Sequence, residues 1–352
     1  MAIIDKPTDY FNTVLYTGDG SSSRSITGVD FQPDWTWVKS RNSADYNNMV
    51  TDVVRGALKM LKTDETTAEA EYSAGGIGSF DSDGFTIAAG SSNNTNMNNN
   101  TTTYVGWNWK AGTSFTNDAS STGIGSIDST GSVNNDAGFS IVSWTGTGSA
   151  GTIKHGLNSV PSMIIIKNRS SAYDWTVGHN SLGWTNVVFL NLTTASQGDT
   201  QFNNTAPTSS VFSIGTPLMA NKSGDSIIAY CFAEKQGYSK FSSYTGNGNA
   251  DGTFVYTGFK PAWVLIKQTN SSNIWELFDN KRTTFNLIDA YLSPDASDAE
   301  TTGSSQSLDF LSNGFKPRAN ASGLNGSGSS YIYIAFAENP FVTSTGVPAT
   351  AR

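Results

Sequence analysis

Two histidines, one cysteine and 29 acidic residues are the groups from which a catalytic site in this chain would be drawn. His155 sits between Lys154 and Gly156, and His179 follows Gly178. A nucleophilic triad needs a Ser or Cys and an Asp placed in a recognised order around its histidine. Neither histidine has such neighbours, and both read as surface-loop residues. No Gly-x-Ser-x-Gly or His-Glu-x-x-His signature occurs. Glycosidase chemistry asks for two carboxylates across a cleft, and a chain with this many acids contains pairs that its sequence cannot rank. Cys231 lies in the apolar run from Ile227 to Phe232 and reads as a buried, inert thiol. A single cysteine excludes an intrachain disulfide and a multi-cysteine zinc site.

Asp81 and Asp83, with Gly84 between them and Phe85, suggest a calcium loop. A twelve-residue EF-hand loop starting at Asp81 would place Phe85 and Ser92 where oxygen ligands are required. That fails for Phe85, and a later stretch, Ser312-Asn313-Gly314-Phe315, repeats the pattern with asparagine for aspartate. Asp-Gly and Asn-Gly favour tight hairpins, so the expectation is a structural turn. The Asn-x-Ser/Thr sites at Asn168 and Asn191 arise at the frequency this composition generates. No catalytic, cofactor-binding or metal-ligating residue is therefore expected, and no enzyme is expected.

What must position any site is a stretch written three times. An aromatic residue and Thr-Gly-x-Gly open it at Tyr16, Trp144 and Tyr244. It closes on a proline-led apolar run that ends in Lys39, Lys167 and Lys267. The threonine and proline (17 and 33, 145 and 161, 245 and 261) keep one spacing, and proline and lysine keep another. Self-similarity of this kind marks a repeat architecture. The apolar run reads as a strand, with proline tolerated at its first position. Thr-Gly-x-Gly reads as a turn or bulge, not a phosphate loop, which needs a lysine after the glycines and a helix start. The terminal lysine reads as a solvated strand end with its stem on apolar surface.

Composition agrees with many short strands. Of 352 residues, 12% are aromatic, only 14% are charged and 35 are glycine. The net charge of −8 gives no electrostatic case for nucleic acid or an anionic membrane. No apolar run is long enough for a membrane span, and residues 1–11 lack the pattern of a signal peptide. The expected fold is all-β, three tandem jelly-roll-like sandwiches of roughly 100 residues with little helix.

The first sandwich is expected over 1–112, a Ser/Thr/Gly-rich linker over 113–136, the second over 137–237, and the third over 238–352 with an extended tail from Pro340. The second and third follow each other almost directly and should pack as a rigid pair. Met49 to Lys62 reads as a strand followed by a helical turn. Trp107 and Trp109 alternate with Asn108 on a closing strand, which implies one buried face. Trp35, Trp37, Trp107, Trp109, Trp263 and Trp275 are expected inside the sandwiches. Trp175 and Trp275 hold matching positions, where the first repeat has Asn47 in straight register. Binding residues concentrate on loops held by a scaffold. The polar loops at 91–103, 198–208 and 320–330 are the candidates, with Tyr173 or an exposed Trp184 as a stacking face.

Several long runs carry a resemblance. They are Gly138 to Gly146, Met163 to Arg169, Tyr230 to Phe241, Leu308 to Lys316 and Ile334 to Phe341, together with Asp5 to Thr13 and Asp52 to Gly56. Together the chain resembles the repeat-built virion proteins of tailed phages, especially marine ones, usually called tail-fibre or structural proteins. The first repeat departs where that family often has a histidine, at Tyr46-Asn47-Asn48. The resemblance implies a non-enzymatic virion protein assembled in the host cytoplasm. Its implied partners are other virion proteins and, through outward loops, host envelope glycan or protein, with no nucleic acid, no membrane insertion and a homo-oligomer, a trimer favoured. The competing expectation is a polysaccharide-binding or polysaccharide-degrading sandwich.

Overall fold

The computed structural model describes residues 3–88 and 97–348. Strand makes up 42% and helix 5%, and the sheets are antiparallel, so the all-β, sandwich-type expectation holds. Four strands recur in each repeat. The opening strands are Phe11–Thr17, Phe139–Thr145 and Ser239–Thr245. The lysine strands are Trp35–Ser40, Met163–Asn168 and Phe259–Gln268. The seam strands are Met49–Asp52, Thr176–His179 and Trp275–Asp279. The closing strands are Thr103–Trp109, Ser226–Phe232 and Ser330–Pro340. Each large sheet orders them opening, closing, lysine, seam. The registers match as well: Thr17 faces Thr103, Thr145 faces Ser226 and Thr245 faces Ser330.

Each large sheet carries two hydrophobic faces, because its central strands alternate between two different cores. One face packs on a small sheet and forms a sandwich interior. Val14, Val38, Phe85 and Tyr104 lie inside the first, Val142, Ile164, Phe212 and Cys231 inside the second, and Val264, Ile266, Phe315 and Tyr333 inside the third. The other faces of all three large sheets meet in one shared core.

That shared core corrects the tryptophan assignment. Trp35, Trp37, Trp107, Trp109, Trp263 and Trp275 are buried as expected, but between repeats and not inside sandwiches. Trp35 stacks on Tyr230 of the second repeat with centroids 4.5 Å apart. Trp109 meets Trp263 edge-on at 5.8 Å. The closing strand is consequently buried on both sides, not one. The three repeats share one interior, so none is an isolated bead and no pair is set apart from the third.

Other expectations also change. Residues 113–136 are not a linker: Thr113–Asn117 and Ser129–Asn134 are strands that extend the second large sheet beyond its opening strand. Met49 to Lys62 contains a second strand, Lys59–Lys62, in place of a helical turn, because Asp52 Oδ1 accepts the N–H groups of Val54 and Arg55 and bends the chain back. The tail does not run extended. Val342 bridges Pro348, and Ser344 N–H donates to Asp5 Oδ1 at 2.7 Å. The hairpin expectation holds: Asp81 faces Gly84 and Leu311 faces Gly314, leaving two-residue loops.

Candidate functional site

The three lysines are where the sequence reading departs most from the structure. Lys39, Lys167 and Lys267 are fully buried, not solvated strand ends. Each ammonium bridges its own repeat to a neighbouring one. Lys39 Nζ donates to Tyr46 O at 2.7 Å and to Ser297 O of the third repeat at 2.6 Å. Lys167 Nζ donates to Tyr173 O at 2.5 Å and to Thr66 O of the first repeat at 2.7 Å. Lys267 Nζ donates to Asn273 O and, at 2.8 Å, to Thr193 O of the second. Burial pulls all three amines down to about 8. The apolar run ends in lysine because a long stem crosses the seam and its three donors satisfy carbonyls there.

The residue at the start of each seam strand, or just before it, repeats the pattern. Trp175 Nε1 donates to Lys62 O and Trp275 Nε1 to Phe189 O, both at 2.8 Å. In the first repeat Asn48 takes that place, one position beyond straight register, and donates to Ser293 O at 3.1 Å. Main-chain bonds run beside them: Glu69 N–H to Arg169 O, Ser196 N–H to Thr269 O, and Glu300 N–H to Arg41 O. The second repeat therefore grips the first, the third grips the second and the first grips the third. The ring closes within one chain.

Two of the three seams add buried charge. Arg169 forms a bidentate pair with Glu69, both contacts 2.9 Å. Arg55 binds Asp52 through Nε at 2.5 Å and also reaches Glu69 at 3.2 Å. Tyr230 Oη donates to Asp52 Oδ2 at 2.7 Å. The seam between first and third repeats copies this with Arg41–Glu300, Arg282–Asp279, Arg282–Glu300 and Trp107 Nε1 to Asp279 Oδ2. Burial works against Glu69, yet Arg169 and Arg55 hold its carboxyl below the usual range. Seen alone, Asp52, Arg55 and Tyr230 look like acid–base machinery. Their side chains are sealed, with Asp52 and Arg55 at 0% exposure and Tyr230 fully buried. At the remaining seam the matching positions are His179, Leu182, Ser196, Thr269 and Ile334, and no ion pair joins them among the described residues.

The histidines are buried, not in surface loops. His155 Nδ1 accepts Leu157 N–H, and its Nε2 lies 3.1 Å from Thr208 O. His179 Nδ1 accepts Ser181 N–H. Burial pulls both imidazoles down to about 4. Cys231 is buried as expected, and burial pushes its thiol up.

The candidate loops divide. Residues 91–96 of the first lie outside the described residues. Met97 and Asn98, in the same loop, are buried. So are Leu324 and Asn325 of the third and Gln201 and Phe202 of the second. The exposed positions include Asn203 to Ala206. Trp184 is buried against Phe202 and gives no stacking face, and Tyr173 is half-buried.

Asn98 belongs to a clamp that the sequence reading missed. Asn98, Asn221 and Asn325 each lie five residues before the first residue of a closing strand. Each side-chain oxygen accepts an N–H from the Thr-Gly-x-Gly turn, at Asp19, Thr147 and Asn247. The first glycine is needed because the clamp backbone presses on it: a Cβ at Gly146 would stand 2.2 Å from Lys222 O. An apolar residue followed by Asn at a constant offset was the available signal, hidden in a chain rich in asparagine.

Open concavities lie elsewhere. A cleft of about 420 Å³ between the first and second repeats is lined by Asp34, Val53, Val54, Phe115 and Thr130. Burial pushes Asp34 up to about 6, and its Oδ2 is held by Ala111 N–H at 2.7 Å. A second, about 190 Å³, lies on the third repeat beside Phe285, Asn280 and Lys260. Among the described residues, no group of three or more His, Cys, Asp or Glu is placed to hold a metal ion. No curated protein matches the chain. A family model described as a domain of unknown function, DUF7483, matches residues 6–340, from the lead-in to the last closing strand, and the chain belongs to that family.

Proposed function

We propose that the chain is a non-enzymatic virion structural protein of a phage, a tail-fibre or appendage component that binds other virion proteins and turns loops toward the host envelope. The virion setting rests on the resemblance of the long sequence runs. The non-enzymatic reading rests on one observation: the charged clusters centred on Arg55 and Arg282 are spent on joining repeats and are closed to any substrate. Such clusters hold one arrangement of the seams, and breaking one is costly. Because three repeats already close a ring inside one chain, no further copy is needed to complete a seam. One ring per attachment point is therefore the assembly we favour over a homotrimer.

Electron microscopy of particles carrying a C-terminal label tests the placement. The reading requires label at a tail or appendage position. A particle fraction without the protein overturns it, and release of reducing sugar from host envelope by the purified chain overturns the non-enzymatic part. Replacing residues 203–206 or 326–330 with Gly-Ser segments of equal length, followed by adsorption assays, separates a recognition role from a purely architectural one.

A further inference from the structure

The seam strand and the segment that pairs back onto it are joined by a turn whose length differs in one repeat. The facing residues are Val50 and Leu61 in the first repeat, Val177 and Val188 in the second, and Leu277 and Leu292 in the third. The third connection is four residues longer than the other two. The ring closes with the shorter turn, so the extra length is not required by the fold. It carries Phe285, the most exposed large apolar side chain described, at 75%, and Leu287 at 41%. Exposed aromatic surface of this kind is informative because water disfavours it.

Phe285 is one wall of the 190 Å³ cleft. The base is polar. Lys260 Nζ lies 2.7 Å from Glu338 Oε2, and Asn280 Nδ2 donates to the same carboxylate at 3.0 Å. The Asn280 carbonyl and the Thr284 hydroxyl have no protein partner among the described residues. Asn286 anchors the loop, its amide exchanging two hydrogen bonds with the backbone of Phe310. The cleft thus offers one flat apolar face, a few convergent donors and acceptors, and a charge pair that neutralises itself.

We propose that this cleft binds one pyranose ring of a neutral saccharide, with Phe285 against its C–H face and Asn280, Thr284 and Lys260 on its hydroxyls. A pyranose has the same two-sided character: an apolar face of C–H groups and a rim of hydroxyls. The ion pair in the base argues against an anionic sugar, since Glu338 already neutralises the one nearby ammonium. The proposal deepens the surface role above and rests on that reading for its biological setting, though the binding itself does not.

The test is titration of the full purified chain with cellotetraose, maltotetraose, chitotetraose, mannotetraose and a uronic-acid tetramer, followed by two-dimensional NMR. At least one should bind with a Kd on the order of 1 mM or below. Phe285→Ala should weaken that binding about tenfold, since stacking contacts of this size are worth about one such factor. Asn280→Ala should weaken it as well, whereas Phe254→Ala, at the opposite edge of the small sheet, should not. Unchanged thermal melts would show that the variants still fold. No binding of any tetrasaccharide, binding indifferent to Phe285→Ala, or preference for a uronic-acid tetramer each overturns the proposal. These results are read on the free protein, so they stand apart from whether the label appears on particles.

Discussion

Arg41 and Glu300 lie 259 positions apart in the chain, and their side chains meet in a bidentate pair with contacts of 2.9 and 2.8 Å. They join the first repeat to the third, the two repeats that no short connection links. Glu300 also receives Arg282, whose side chain is fully buried. Glu300→Gln would leave that guanidinium under-compensated in the seam. The expected loss is about 3–5 kcal/mol, the usual cost of removing one partner from a buried pair. Arg41→Ala should cost less, because Arg41 is partly exposed. The double variant should lose less than the sum of the two. Urea denaturation of all four proteins measures this, and additive losses would mean the pair is not coupled.

The shared core makes unfolding a property of the whole chain. Trp263 is 2% exposed and touches Phe11 and Trp109 of the first repeat and Phe336 of its own. Trp263→Ala should cost about 3–5 kcal/mol, as for large buried aromatics. Calorimetry should show one transition for wild type and variant alike, with the variant shifted down. Three separate transitions, with only one moved, would show independent repeats.

The fold class was legible because strand pattern, turn pairs and the three-fold spacing all report on local structure. What joins the repeats was not. A lysine ending an apolar strand has the same local signature whether it meets water or crosses a seam, and only the ring decides. The same holds for Trp35: period-two alternation shows that a face is buried, not against which sheet. Residues 113–136 read as a linker since Ser, Thr and Gly dominate them, yet backbone pairing to an existing edge overrides weak propensity. The buried Asp52–Arg55 pair carried a partial signal, the repeat of Asp-x-x-Arg at Asp279 and Arg282. The candidate loops stand out in the sequence by polarity, and polarity alone does not separate an exposed tip such as Asn203 from a buried clamp such as Asn98.

The buried histidines set an acid limit. In the fold His155 and His179 titrate near 4, against 6.5 for an ordinary imidazole. The unfolded chain therefore binds more protons between those values, and stability falls as pH drops from about 6.5 to 4. Each histidine contributes up to about 3 kcal/mol to that fall. Glu276, Asp34 and Asp295 have raised values and act in the opposite sense over part of the window. The total is thus a poor test and a difference is a good one. His155→Gln should narrow the stability gap between pH 7 and pH 4.5. A gap equal to wild type would show that His155 titrates normally in the fold.

Glu276 sets a second, opposite dependence. It is fully buried, and neither carboxyl oxygen has a hydrogen-bond partner among the described residues. Burial pushes its carboxyl up to about 8. The folded chain keeps a proton that the unfolded chain has lost, so this group's contribution is complete below about 4.5 and disappears as pH rises through 8. Glu276→Gln carries no such charge. Its stability relative to wild type should improve by several kcal/mol, roughly 4 at most, between pH 5 and pH 9. A constant difference across that range would rule out a neutral buried glutamic acid.

The clamp asparagines should discriminate between two substitutions of similar size. Asn221 Oδ1 accepts Thr147 N–H at 2.8 Å, and its Nδ2 donates to Ser149 O at 2.6 Å and Gly215 O at 2.7 Å. Asn221→Ala removes all three bonds and leaves buried backbone groups unpaired, at a cost of about 2–4 kcal/mol. Asn221→Asp keeps the acceptor for Thr147 but turns an oxygen toward two carbonyls. At neutral pH the carboxylate should be worse than alanine, because a charge is buried against acceptors. On acidification the carboxyl can donate to one of those carbonyls, and the aspartate variant should overtake alanine. Thermal melts of the two variants at pH 7 and pH 4 read this directly, since the histidine and glutamate contributions are common to both. The same order of stability at both pH values would show that the clamp is held by packing alone, and not by the direction of its hydrogen bonds.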